Sequence, residues 1–120
     1  LQDMNRGLEL DPNQPNGYSN RGLLHFQTRQ FEKAIADQTS YLKLNPVYWE
    51  MYYERAISNA ALGRHKEAIP DFDVALLHIK DKPFFYFERG RSHQALGNNG
   101  LAQRDFDIAK SLGYVPANRQ

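Results

Sequence analysis

Residues 52–72, YYERAISNAALGRHKEAIPDF, return in altered form at residues 86–106 as YFERGRSHQALGNNGLAQRDF, an offset of 34 positions. The offset runs through the chain. Asp3, Asp37, Asp71 and Asp105 keep it, as do Tyr18, Tyr52 and Tyr86; Arg21, Arg55 and Arg89; and Ala34, Ala68 and Ala102. One period held at several positions at once marks an array of one small structural unit. Residues that keep the beat serve the architecture. Residues that break it are where specific function is to be sought.

Each unit reads as two amphipathic helices. From Pro15 to about Thr28, Tyr18, Leu23, Leu24 and Phe26 recur at helical spacing, and a break follows near Arg29-Gln30. Phe31, Ala34, Ile35, Tyr41, Leu42 and Leu44 mark a second helix, closed by Asn45-Pro46 because the residue before a proline is pushed out of the helical region. The next unit repeats this, with Gly63 ending its first helix and Pro70 falling in the opening turns of its second, where a missing amide is tolerated. In the third unit Gly97 and Gly113 end the helices and Pro116 prevents continuation. Residues 1–14 match only the second half of a unit, with Leu8, Leu10 and Pro12 in place. The chain thus divides into a half-unit (1–14), three helical hairpins (15–48, 49–82, 83–116) and a short tail (117–120), all within a single domain.

Composition narrows the function classes. The chain has 120 residues, no cysteine and a net charge of +1. Disulfides, thiolate catalysis and cysteine-ligated metals are excluded. So balanced a charge, with no run of Lys or Arg, argues against a nucleic-acid partner. No stretch of about 18 apolar residues exists to insert in a membrane. The expectation is a soluble protein; the cytoplasm is favoured slightly over the periplasm or the exterior, and the compartment stays open.

The pattern resembles the tetratricopeptide repeat, whose signature is W-x2-L-G-x2-Y, then A-x3-F, then P. The corresponding residues here are Tyr18, Arg21, Gly22 and His25; then Tyr52, Arg55, Ala56 and Asn59; then Tyr86, Arg89, Gly90 and His93. The second part reads Ala34 with Gln38, Ala68 with Phe72, and Ala102 with Phe106. The resemblance covers residues 1 to about 116. It implies an all-α solenoid of tandem helix-turn-helix units in a right-handed superhelical array. Gly22, Ala56 and Gly90, with the three alanines, fall where the paired helices must approach closely. Gln38 replaces an expected aromatic ring, which is expected to loosen its unit or bond across it. Lys80 and Tyr114 replace the closing proline, which predicts less defined connectors there.

Each Arg of the 34-residue series precedes an Asp by 16 positions on the facing helix, which predicts a repeated structural ion pair. No nucleophile elbow, phosphate loop or dinucleotide turn is present, and the four histidines form no metal-ligand spacing. The reading is therefore non-catalytic, with no cofactor and no metal.

In the family that this pattern resembles, the first helix of each unit lines a concave groove. The matching residues here differ from unit to unit, as a specific surface should. The candidate groove residues are Asn20, Leu23, Tyr53, Glu54, Ile57, Phe84, Phe87, Glu88 and Arg91, with Phe26, Ala61 and Gln94 on the same face. Some members of the family hold the C-terminal carboxylate of heat-shock chaperones with Lys, Asn and Arg. The matching places here carry Ser19, Leu23, Glu54, Phe84 and Glu88, and an acidic groove repels a carboxylate. The expected partner is a protein or peptide with apolar anchors and some basic character. The alternatives are a self-assembling element stacked through uncapped terminal repeats, as a homo-oligomer, and a scaffold fragment of a larger multidomain protein.

Overall fold

A computed structural model describes residues 14–114. They form six helices: α1 (Pro15–Gln27), α2 (Phe31–Leu44), α3 (Trp49–Ala61), α4 (His65–His78), α5 (Pro83–Ala95) and α6 (Asn99–Ser111). Among the described residues there is no strand. Each odd-numbered helix packs on the even one after it, each even helix packs on the next odd one, and α3 also touches α5. Nearest-neighbour stacking makes the molecule long, 47 × 27 × 24 Å, with a Cα radius of gyration of 15.3 Å. A compact domain of 100 residues measures about 13 Å. The expected half-unit, apart from Gln14, and the tail from Val115 onward lie outside the described residues.

Packing, rather than capping, holds the helices. None of the six N-cap side chains bonds its helix. The buried contacts alternate within and between pairs. Ala56, Ala68 and Phe72 pack together inside the middle pair. Tyr41, Leu42 and Met51 join the first pair to the second, and Ala75, Leu76 and Phe85 join the second to the third.

The ends of α1, α3, α5 and α6 repeat one backbone motif. Arg64 N–H reaches Asn59 O at 2.9 Å and Gly63 N–H reaches Ala60 O at 2.9 Å, closing α3 with a left-handed residue. Gly97 and Gly113 close α5 and α6 in the same way, at φ of 81° and 96°. At the end of α1 the equivalent residue is Arg29, with φ of 62°. The sequence marks a break there but not its hand. Arg29 adopts a backbone that favours glycine, and its guanidinium lies 5.4 Å from the Phe31 ring centre.

Two expectations are corrected. Pro70 is the sixth residue of α4, beyond the first turn, so the Lys66 carbonyl loses its helical partner. Both residues are exposed, so that carbonyl is open to solvent, and the helix continues to His78. The connector at Lys80 is as well tied as the one at Pro46. Tyr52 donates its hydroxyl to Pro46 O at 2.8 Å, and Tyr86 donates to Lys80 O at 3.1 Å. The bond uses the carbonyl, so it needs no proline there, and the Lys80 ammonium also donates to the Leu76 and Leu77 carbonyls at the end of α4.

The arginine–aspartate series forms the expected pairs. Arg21 grips Asp37 at 3.0 and 2.7 Å, Arg55 grips Asp71 at 2.7 and 2.9 Å, and Arg89 grips Asp105 at 2.8 and 2.8 Å. The arginines do more than the sequence suggests. Arg55 reaches back to Thr39 at 3.2 Å, and Arg89 reaches back to Asp73 at 3.0 Å, each across the junction to the preceding pair. Gln38 is buried, and its Oε1 has no hydrogen-bond partner among the described residues, so that oxygen makes no bond across the unit.

Candidate functional site

The first helices of the three pairs, with the start of α4, enclose a cleft of about 490 Å³. Its walls come from Phe26 on α1, Tyr53 and Ile57 on α3, and Glu88 and Arg91 on α5. It is open because small residues line it: Ala60 and Ala61 at the end of α3 and Ala95 at the end of α5. Below them, His65 Nδ1 and Ser92 Oγ lie 2.9 Å apart, tying α4 to α5.

Of the nine candidate groove residues, the structure brings Tyr53, Ile57, Glu88 and Arg91 to this cleft, together with Phe26, Ala61 and Gln94 from the same predicted face. Asn20, Leu23, Glu54, Phe84 and Phe87 do not line it. Leu23 and Phe84 are exposed, at 50% and 41%. Phe84 stands edge-on to Tyr53 at 5.7 Å, extending the aromatic surface beside the cleft. Phe87 turns instead to Phe106 and Tyr114, at 5.3 and 4.7 Å, and packs within its own pair. Sequence reasoning missed Ala60, Ala95, His65 and Ser92. The repeat itself carried a signal for two of them, since Ala60 stands in register between Phe26 and Gln94, and Ala95 stands in register with Ala61.

Tyr53 anchors the aromatic wall. Its ring stacks on Phe85 at 3.9 Å with an 8° interplanar angle. Burial, then the nearby Glu88 carboxylate, pushes its phenol well above the ordinary value. It therefore stays protonated and keeps a donor to offer. Burial also raises the Glu88 carboxyl, opposed only by Arg91. Burial and then Glu50 raise Glu54, one unit earlier. The site can seat apolar side chains against rings and alanines and can accept a positive charge. Among the described residues no cluster of three or more His, Asp or Glu side chains is placed to hold a metal ion. No helix is long and apolar enough to cross a membrane.

Comparison with known proteins agrees with the repeat reading. A family model described as tetratricopeptide repeat matches residues 4–83. Serine/threonine-protein phosphatase T of Aspergillus oryzae is 39% identical over 61 residues, 51% of this chain and 13% of that protein. Serine/threonine-protein phosphatase 5 of Homo sapiens is 35% identical over 78 residues, 65% of this chain and 15% of that protein. The chain thus matches only a small part of these relatives. Among solved structures, MamA (MSR-1 C2) superimposes with a TM-score of 0.84 at 22% identity, covering 91% of this chain and 63% of that one. A second MamA structure gives 0.85 at 20% identity, covering 96% and 68%. At such identities the likeness is one of fold.

Proposed function

Because the chain belongs to the tetratricopeptide repeat family, whose fold generally serves as a non-catalytic protein–protein interaction module, we propose that it binds a peptide or protein segment in the cleft between α1, α3 and α5. The observation that carries this reading is the cleft itself. The Tyr, Arg, Asp and Ala series keep the 34-residue beat, yet Phe26, Ala60 and Gln94, at one repeat position, all differ and all face the same space. Likewise the aliphatic Leu23 and Ile57 share a position with the charged Arg91. Variation at equivalent positions around a cavity, over a repeated frame, is what a specific recognition surface requires. Rings and alkyl groups supply apolar anchors, and the Glu88 and Glu54 carboxylates favour a partner with basic character.

The test fills the cleft without disturbing the core. Ala61 is exposed at the rim, so Ala61→Trp should fold and occupy the space, and Ser111→Trp on α6 adds the same bulk elsewhere. A partner captured from a lysate of the encoding organism by the unaltered chain and by Ser111→Trp, and lost from Ala61→Trp, supports recognition in the cleft. Equal capture by all three overturns it.

A further inference from the structure

Building on that reading of the cleft, we propose that Glu88 determines its specificity, selecting a peptide that sets a lysine or arginine beside an apolar side chain, and that Arg91 is a built-in competitor for the same carboxylate. The geometry of α5 makes the case. Two neighbouring positions on this helix show two kinds of charge. Arg89 is committed: both of its bonds to Asp105 measure 2.8 Å, and the Asp105 side chain is 3% exposed. Glu88 is not. Its side chain is only 28% exposed and stands among rings and aliphatic groups. Its one ion-pair partner among the described residues is Arg91, at 3.7 Å, beyond the reach of a charge-assisted hydrogen bond. Arg91 itself is 63% exposed and free to swing into water.

A half-buried carboxylate without a close donor is a standing cost to the fold. Nothing in the repeat demands it, since the first unit carries Asn20 at this position. The second unit carries Glu54 there, whereas the position of Arg91 is filled by Leu23 and Ile57 in the other units, so the Arg91 charge is particular to this site. Such a carboxylate lacks a cation at bonding distance. An incoming lysine or arginine supplies one, with its neighbouring apolar side chain seated against Tyr53 and Ile57. The Tyr53 ring adds attraction to a cation held over it. Glu54, which has no cationic partner among the described residues, extends the negative surface along the preceding helix. Arg91 sets the threshold, because the peptide must displace it.

The test is selection from a positional-scanning library of short end-blocked peptides, each variant confirmed folded by its thermal transition. The unaltered chain should enrich lysine or arginine next to an apolar residue. For the best selected peptide, Glu88→Gln should weaken binding by roughly tenfold or more and lose the basic preference. Arg91→Gln should tighten it several-fold. Asp107→Asn makes the same change of charge on α6, away from the cleft, and should bind as the unaltered chain does. Selection of acidic residues, a basic preference that survives Glu88→Gln, weaker binding by Arg91→Gln, or equal weakening by Asp107→Asn would each sink the proposal while leaving the cleft a peptide site. If the unaltered chain enriches no peptide, the proposal and the reading beneath it both fall.

Discussion

Gly90 shows how little room the helix pairs leave. A methyl group built on it would stand 2.7 Å from Phe106 Cε1, 2.9 Å from Phe106 Cδ1 and 3.1 Å from Asp105 Cβ. At Gly22 the nearest atom is Asp37 Cβ at 3.3 Å, because the first pair has Gln38 where the third has the Phe106 ring. Gly90→Ala should therefore destabilise the chain by about 1–3 kcal/mol through overpacking. Gly22→Ala should be near neutral, its tighter contact offset by a gain of about 1 kcal/mol in helix propensity. Urea denaturation followed by circular dichroism measures both, and equal costs would show that the Phe106 ring is not the cause. The need for a small residue at this position was legible from the repeat. Which glycine is crowded was not, because that depends on a ring contributed by the facing helix.

The helix junctions rest on arginines with two unequal partners. Asp105 is buried against Arg89, whereas Asp73 is 56% exposed and pairs with the same arginine from the preceding pair. Removing the buried partner strands a half-buried guanidinium, so Asp105→Asn should cost about 3 kcal/mol. Asp73→Asn should cost less than about 1 kcal/mol, a loss that high salt mimics by screening. Chemical denaturation at low and high salt separates the two, and a large, salt-insensitive cost at Asp73 would overturn this division. Spacing alone predicted the pair within each unit, since 16 residues join facing helices. The backward reach of Arg55 to Thr39 and of Arg89 to Asp73 depends on how one pair stacks on the next.

Over the whole molecule, the outer face of α6 breaks the pattern of the inner junctions. Leu42 and Leu76 are buried between pairs, and the corresponding residue on α6 is the exposed Lys110. Ile35 and Ile69 give way to Gln103, which is exposed and bonds Asp107 at 3.0 Å. Polar residues here replace the apolar ones by which an inner junction stacks on its neighbour. They weigh against self-stacking through this end. Restoring the inner residues with Gln103→Ile and Lys110→Leu should produce concentration-dependent association in sedimentation, with the unaltered chain showing none through this face. If the double variant sediments as the unaltered chain does, the polar residues are not what keeps this end apart.

The all-α class, the six described helices and the internal ion pairs were legible in the amino-acid sequence. Each depends on residues close in sequence or one helix apart, and the 34-residue beat repeats the message. Tertiary structure alone decided which side chains of the variable face meet. Tyr53, Ile57, Glu88 and Arg91 converge because α3 and α5 stand side by side and Ala60, Ala61 and Ala95 leave a void between them. Phe87 carries the same sequence credentials, yet it turns to Phe106 and Tyr114 and leaves the site. Periodicity specifies the face of a helix, but the partner that each side chain finds there depends on the volumes of residues contributed by other helices.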